Sequence, residues 1–204
     1  MTQSTFLKLV QQSLSAEAAA EFEQRVDEQA AALREAIVDG RLDSPAFGIG
    51  MELEVYATDD EATLTRLPKS VFEADCEKEL GLHNAELNTA PDPLSEAGIE
   101  SQVEKLRASV ESTRAAARNE GCEIVLDAMW SVPPAEGTDD YFGDVDREDG
   151  VLVANNMAHS PRYSAIDTAI LDECGGSVSV SVPGAAVSVP TILVESLTSS
   201  IQPH

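Results

Sequence analysis

Two glutamates placed two residues apart could bind a cation from a single strand. Between residues 47 and 56, apolar side chains alternate with glycine, glutamate and tyrosine, which predicts a strand with one wholly apolar face. Glu52 and Glu54 then leave the opposite face together, beside Gly48 and Gly50, whose missing side chains let a ligand approach the backbone. The other interpretation is an ordinary solvent-facing strand of an acidic protein.

A second polar strand supplies a third carboxylate. Residues 82–89 alternate so that Asn84, Glu86 and Asn88 share one face of a predicted strand. If this strand neighbours the first, the three glutamates form the oxygen-rich cluster that Mg²⁺ requires. Because Mg²⁺ seldom sits in an all-protein cage, we expect such a site also to hold substrate phosphate.

The order and spacing of these elements resemble a known enzyme family. Gly-x-Glu-x-Glu at 50–54, followed by Glu-Leu-Asn-Thr-x-Pro at 86–91, is similar to the glutamate-cysteine ligase family and its carboxylate-amine ligase relatives. Those enzymes share a catalytic fold with glutamine synthetase. Pro161-Arg162-Tyr163 resembles the family's Asn-Arg-Tyr-type element, and residues 200–204 resemble the start of its His-bearing strand. The resemblance covers residues 46–204.

The resemblance implies a ligase that uses ATP and magnesium. In the family, the carboxylates matching Glu52, Glu54 and Glu86 bind the Mg²⁺ ions that bridge the ATP phosphates. The substrate carboxylate attacks the γ-phosphate, and an amine captures the resulting acyl phosphate to give an amide. Glutamate plus cysteine is the family's leading case, which belongs to γ-glutamylcysteine and glutathione biosynthesis.

Three further residues are candidates for substrate or nucleotide contacts. The resemblance makes Arg162 a candidate catalytic clamp on the anionic intermediate, while the alternative is a surface arginine in the first turn of a helix. Asn88 and His204 are candidates for binding the cofactor, and the alternative for His204 is a chain-terminal side chain without a role.

The charge balance excludes several classes of partner. Asp and Glu number 37 against 13 Lys and Arg, which gives a formal net charge of -24 spread along the chain. Nucleic acids and anionic membranes bind through basic patches, so we expect neither. The resemblance implies small-molecule amino-acid substrates as the partners. A uniform acidic excess favours a halophilic protein, with a surface that stays soluble in molar salt. The oligomeric state is left open, a homo-oligomer included.

Cysteine usage and the N-terminus bear on localisation. Cys76, Cys122 and Cys174 match neither a zinc-binding spacing nor a secreted disulfide framework. The first residues lack the basic and apolar regions of a signal peptide, and no run approaches the roughly 18 apolar residues of a membrane span. We therefore expect a cytoplasmic, soluble protein.

The elements that position these residues follow from periodicity and from helix-capping residues. Apolar repeats at three and four residues predict helices, alternation predicts strands, and a stretch rich in Pro, Gly and Asp predicts a long loop. The helices are predicted near Phe6–Val10, over Ser15–Val38, from Ser95 to about Asn119, and from Ser160 to Gly175. A further strand is predicted over 122–129, a hairpin or bent strand over 177–189, and the loop over 133–150. The order predicts an α+β fold with a mixed or mainly antiparallel sheet and flanking helices.

We expect two parts of the chain: an N-terminal helical segment, 1–45, and the N-terminal part of a ligase catalytic domain, 46–204. Members of the resembled family are usually much larger, so the sheet is expected to be incomplete at its C-terminal end. Two other hypotheses stay open at this point. One is a catalytically incomplete metal- or nucleotide-binding module that acts as a partner subunit, and the other is an acidic scaffold whose glutamates are only surface.

Overall fold

The computed structural model describes residues 1–44, 46–130 and 132–204. The helices and strands within these ranges follow in chain order. The α-helices are α1 (Gln3–Ser13), α2 (Ala16–Val38), α3 (Glu96–Asn119), α4 (Thr138–Gly143) and α5 (Pro161–Glu173). The strands are β1 (Gly48–Ile49), β2 (Met51–Thr58), β3 (Glu77–Lys78), β4 (Asn84–Asn88), β5 (Asp92–Pro93), β6 (Glu123–Val125), β7 (Val145–Glu148), β8 (Val151–Ala154), β9 (Val178–Val182), β10 (Ala185–Val189) and β11 (Ile201–Pro203). Two 3-10 helices span Lys69–Glu73 and Ile192–Leu197.

The predicted α+β class is confirmed. The main sheet has the strand order β11-β2-β4-β3, with β6 also paired to β2. Three two-stranded sheets, β1-β5, β7-β8 and β9-β10, complete the strand pairs of the described residues, and every pair is antiparallel. Within the same ranges, each helix is too short or too polar to span a bilayer.

Helix boundaries follow the capping residues of the sequence. The Ser15 side chain accepts a hydrogen bond from the Ala18 amide at the start of α2, and the Ser95 side chain does the same for Gly98 at the start of α3. These bonds satisfy amide groups that have no partner within the helix. Gly40 has φ +68°, the left-handed conformation that follows many helix C-termini, and it stands just past α2.

The predicted strand over residues 47–56 is two strands. β1 pairs with β5 at the edge of the fold, whereas β2 is the central strand between β11 and β4. The prediction of one wholly apolar face is therefore wrong for Phe47, which precedes β1, lies away from the main sheet and is 80% exposed. The prediction holds for Leu53 and Val55, which pack in the core. The predicted strands over 82–89 and 122–129 are shorter, and correspond to β4 and β6.

One face of the main sheet packs against α3. The core between them contains Val55, Ala85, Leu87 and Ala117 among its buried side chains. The strands contribute their odd-numbered residues to this core, so the even-numbered residues of β2 and β4 leave the opposite face.

Helix α3 buries a different face in its first half from the one that its apolar repeat predicts. Ile99 and Val103, which share a face of the helix with Leu106 and Val110, are 47% and 50% exposed and line an open apolar cavity. Gln102 is buried instead, because its side chain donates to Ala90 O at 2.9 Å, in the segment that joins β4 to β5. Gly98 lies against the Pro93 carbonyl, where an added Cβ would stand 1.9 Å from that oxygen. These two contacts set the rotation of the helix.

The predicted loop over residues 133–150 is wrong. This stretch contains α4 and β7, and β7 forms a hairpin with β8. Tyr141 and Phe142 are 2% and 3% exposed and pack in a second core with Tyr56, Leu64 and Leu80. Burial of two neighbouring aromatic rings stabilises a short helix in a segment whose Pro, Gly and Asp content favours loops.

The N-terminal helices differ in their packing. α1 buries Phe6, Leu7 and Val10 against Val151 of β8 in a third core. None of the 23 residues of α2 is buried. The boundary between residues 45 and 46 stays a prediction.

A buried carboxylate joins α5 to the segment after the β9-β10 hairpin. Asp167 is 0% exposed and accepts hydrogen bonds from the Thr191 hydroxyl at 2.8 Å and from the Ile192 amide at 2.9 Å. Burial raises the pKa of Asp167, and these two hydrogen bonds oppose that rise.

We expect Asp167→Ala to destabilise the protein by about 2 kcal/mol, because it leaves two buried donors without an acceptor. Asp172→Ala on the same helix removes only a surface ion pair with Arg147 and should change stability by less than about 1 kcal/mol. Urea unfolding of the two variants measures the difference. Equal losses of stability in the two variants would show that the buried hydrogen bonds of Asp167 add no more to the free energy of unfolding than a surface ion pair does.

Candidate functional site

The register of the central strands brings the three predicted glutamates to one face of the sheet. β2 and β4 are antiparallel, with Glu54 directly opposite Glu86 and Glu52 directly opposite Asn88. Residues directly opposite each other on paired strands share a face and lie about 5 Å apart at Cβ. The two strands are neighbours, which is the condition for a shared cation site, and the same alternation that packs Leu53 and Leu87 toward the core orients the four polar residues away from α3.

Strand β11 holds Glu54 from the other side. Gln202 on β11 lies opposite Glu52. The Glu54 carboxylate accepts hydrogen bonds from the Ser200 amide at 2.9 Å and from the Gln202 side-chain amide at 3.1 Å. The resemblance of residues 200–204 to a strand near the site therefore corresponds to a real strand, and its polar side chains fix the orientation of one predicted metal ligand.

Glu52, Asn88 and His204 meet at the edge of this face. His204 Nε2 lies 2.9 Å from a Glu52 carboxylate oxygen, and the Asn88 side-chain amide donates to Glu86 at 2.8 Å. Glu52, Asn88 and His204 line a cavity of about 350 Å³. Its full lining is Gly48, Gly50, Met51, Glu52, Asn88, Thr89, Pro91 and His204. The two glycines predicted to admit a ligand thus border the same cavity as three of the predicted site residues, while Glu54 and Glu86 lie outside it.

Two further glutamates, missed from the sequence, belong to this face. Burial raises the pKa of Glu79, and the charges of Glu86, Glu54 and Glu195 raise it further. Burial also raises the pKa of Glu195, with a contribution from Glu54. Such shifts arise where several carboxylates repel one another in a partly dry environment. No local signal could have selected these residues among 37 acids, since Glu79 is in an irregular segment and Glu195 is in a 3-10 helix far along the chain.

The N-terminus of α5 lies beside the same carboxylates. Burial raises the pKa of Tyr163, and the charges of Glu79, Glu86 and Glu195 add to that rise while Arg162 opposes it. The Arg162 guanidinium lies 6.0 Å from the centre of the Tyr163 ring and is exposed. The predicted clamp residue therefore stands at the border of the carboxylate face, and it makes no ion pair within the described residues.

The carboxylate oxygens of this face suit a hard cation such as Mg²⁺, although the side chains alone do not surround one. In residues 1–44, 46–130 and 132–204, no three His, Cys, Asp or Glu side chains converge into a complete metal-binding group. Mg²⁺ commonly binds through one or two carboxylates and completes its shell with water and substrate phosphate. A face of several carboxylates, open to the solvent side, fits that mode of binding.

Comparison with known proteins bears on what this face does. The family model described as glutamate-cysteine ligase family 2 (GCS2) matches residues 48–179. The chain belongs to this family. No curated protein and no solved structure matches the chain.

The matched range of the glutamate-cysteine ligase family contains Glu52, Glu54, Glu79, Glu86 and Arg162. It begins at β1 and leaves out both α1 and α2. The resemblance in the sequence motifs is thereby confirmed, and the chain is a glutamate-cysteine ligase-like protein.

Proposed function

We propose that the chain acts as an ATP- and magnesium-dependent carboxylate-amine ligase that joins the glutamate γ-carboxyl group to the amino group of cysteine. The observation that carries the proposal is the register that sets Glu54 opposite Glu86, with Glu52 beside them, in a member of the glutamate-cysteine ligase family.

The proposed reaction has two steps. An oxygen of the substrate carboxylate attacks the γ-phosphorus of ATP, and ADP leaves. The amine nitrogen then attacks the acyl carbon, inorganic phosphate leaves, and the nitrogen loses a proton to give the amide. Both steps concentrate negative charge on phosphoryl oxygens, so positioning and electrostatic stabilisation account for most of the catalysis.

The carboxylate face would supply the metal sites. Glu52, Glu54 and Glu86 would hold Mg²⁺, with Glu79 as a fourth candidate because its charge already interacts with two of them. Bound Mg²⁺ neutralises charge on the phosphoryl group during transfer. Ionised carboxylates that repel one another in the absence of a cation are stabilised when one binds, which favours binding at this face over the rest of an acidic surface.

The remaining predicted residues would position substrate and nucleotide. Arg162, exposed at the border of the face, would clamp the anionic intermediate through its planar guanidinium. Asn88 and His204, which line the cavity beside Glu52, would contact the nucleotide.

The direct test is product formation. Purified chain in molar KCl, with Mg²⁺, ATP, glutamate and cysteine, should release ADP and form γ-glutamylcysteine, and omission of Mg²⁺ or of either amino acid should stop both. ADP release without amide, or product that does not depend on Mg²⁺, would contradict the proposal. Calorimetry of Mg²⁺-ATP binding would then separate a module that binds without turnover from a chain that does not bind.

A second candidate function is such a module, a metal- or nucleotide-binding subunit of a larger assembly. The observation in its favour is that no three protein carboxylates of the described residues form a complete metal-binding group. Binding of Mg²⁺-ATP without amide formation is its expected signature.

Replacing Glu79 should reveal the repulsion at this face. A carboxyl group whose folded-state pKa is raised destabilises the folded protein at neutral pH, and the penalty is relieved as pH falls toward the unfolded-state pKa of about 4.3. We expect Glu79→Gln to raise Tm by about 1–3 °C without Mg²⁺ and to weaken Mg²⁺ binding about tenfold.

The matched control is Glu73→Gln, at an exposed glutamate nearby in the chain, which should change neither Tm nor the Mg²⁺ affinity. Thermal unfolding measures Tm, and calorimetry measures the Mg²⁺ affinity. A lower Tm for Glu79→Gln would show that the carboxylate is stabilised in the fold rather than repelled.

A further inference from the structure

Helix α2 carries an apolar stripe that no part of the described chain covers. The helix is 23 residues long, and none of its residues is buried. Phe22, Val26, Leu33 and Ile37 are 70%, 46%, 53% and 61% exposed, and all four lie on one side of the helix. Exposed contiguous apolar patches of this kind mark interaction surfaces.

The stripe is broader than a surface helix needs. Around its large apolar residues lie Ala18, Ala19, Ala30, Ala32 and Ala36, which would let a second helix approach closely. Isolated helices depend on tertiary packing for most of their stability in water, and a wide apolar stripe is typical of a helix that packs against a partner. Only Ala18 and Ala36 are even partly covered.

We propose that the partner is α2 of a second copy of this chain, packed antiparallel about a two-fold axis near the middle of the helix. The apolar pattern is nearly symmetric about that point. Pairing residues whose numbers sum to 55 sets Phe22 against Leu33 of the second copy, and Ala19 against Ala36. The same rule sets Ile37 against Ala18 and Val26 against Gln29, so apolar residues face each other along most of the stripe.

Charge favours the antiparallel arrangement over the parallel one. Glu23 and Arg34 lie on the same edge of the stripe, and the antiparallel pairing brings Glu23 of each copy to within about 3 Å of Arg34 of the other along the helix axis. Arg34 makes no ion pair within the described residues. A parallel two-fold pair would instead place this edge of the two helices on opposite sides of the interface, so Glu23 and Arg34 would not meet.

The available area supports a stable but not very tight dimer. At 1.5 Å per residue the stripe is about 34 Å long, and two such helices would bury on the order of 1,000 Å², the lower end for a specific interface. Each copy carries a net charge of -24, so the two repel each other at low ionic strength. Association should therefore strengthen as salt rises from about 0.1 M to about 2 M.

Sedimentation velocity of the full chain tests the proposal. We expect a concentration-dependent dimer at about 2 M KCl and at least tenfold weaker association for Phe22→Asp. Gln24→Asp, which adds the same charge on the opposite side of α2, is the matched control and should associate like the wild type. Circular dichroism checks that both variants stay folded, which is expected because the Phe22 side chain is 70% exposed. A monomer at every concentration, or a dimer that Phe22→Asp leaves intact, would overturn the proposal.

Charge reversal tests the orientation. At about 0.5 M KCl, where the screening length is about 4 Å, Glu23→Arg and Arg34→Glu should each weaken the dimer, and the double variant should recover most of the loss. Recovery is the result that requires the two residues to face each other across the interface. A double variant in which the two single losses of dimer affinity simply add would rule out the proposed pairing.

Cross-linking gives an independent readout. In a Cys174→Ser background, which removes the exposed cysteine, a cysteine introduced by Gln29→Cys lies close to the two-fold axis. A short bismaleimide linker should join two copies there. Ala19→Cys, which lies within the stripe, should not cross-link, since antiparallel helices separate the two copies of that residue by about 25 Å. The opposite result, cross-linking at Ala19→Cys alone, would show a parallel pair and overturn the antiparallel model.

Discussion

Replacing Glu86 with glutamine should lower the ligase turnover by about 10²- to 10³-fold. The variant keeps the size of the side chain and its place opposite Glu54, but removes one negative charge from the face that would hold Mg²⁺. Loss of a single preorganised electrostatic contact to a transferring group has an effect of this size. The expected change is in kcat as well as in Mg²⁺ affinity, because the metal stabilises charge that grows in the transition state.

The control for this variant is Glu104→Gln. Glu104 is exposed on α3, which packs against the opposite face of the sheet, so the same change of charge occurs far from the site. Steady-state assays at varied Mg²⁺ concentration should give the wild-type kcat for Glu104→Gln. For Glu86→Gln, excess Mg²⁺ should restore only part of the lost kcat. Full activity in Glu86→Gln would show that Glu86 is not a metal ligand, even though the chain belongs to the glutamate-cysteine ligase family.

The sequence predicted those parts of the site that depend on local pattern. Alternation along β2 and β4 places Glu52, Glu54 and Glu86 on one face regardless of the rest of the fold, because side chains of a strand alternate with a period of two. The antiparallel register that sets Glu54 against Glu86 is a contact between residues 32 positions apart, and the sequence left open whether the two strands are neighbours. The helix starts at Ser15 and Ser95 are equally local, and they were predicted correctly.

The parts that were missed depend on contacts distant in sequence. Glu79 and Glu195 reach the face from irregular segments without periodicity, so nothing separates them from the solvated acids of the chain. The rotation of α3 depends on Gln102, whose hydrogen bonds to the β4–β5 segment outweigh burial of Ile99. Polar side chains with a specific buried partner override the apolar periodicity that predicts a buried face.

Acid should destabilise the protein through His83. This histidine is 0% exposed, and burial lowers its pKa from 6.5 to about 4, with a partly opposing effect from its hydrogen bond to the Ser196 backbone. Nδ1 lies 2.7 Å from the Tyr141 hydroxyl and Nε2 lies 3.1 Å from the Ser196 carbonyl oxygen. The neutral ring satisfies both contacts when Nε2 carries the proton and donates to Ser196, while Tyr141 donates to Nδ1.

The sign of the pH dependence follows from the lowered pKa. Above pH 6.5 the ring is neutral in both states and its contribution to stability is fully present. As pH falls from 6.5 toward 4, the unfolded chain takes up a proton that the folded protein excludes, so the free energy of unfolding drops by up to about 3 kcal/mol. The raised pKa values of Glu79, Glu195 and Asp167 act in the opposite direction over the same interval, so the wild-type curve alone does not isolate the histidine.

A comparison with His83→Gln isolates the histidine from the carboxylates. The variant should be less stable at pH 7.5, where it loses well-packed contacts, and the gap to the wild type should narrow by about 2–3 kcal/mol at pH 4.5, since glutamine does not titrate. His159→Gln, at an exposed histidine, is the comparison that shows how much of the narrowing is specific to the buried ring. Urea unfolding at both pH values measures all three proteins. A gap for His83→Gln that stays constant would mean that protonation of His83 is equally easy in the folded and unfolded states, and that its burial does not exclude the charge.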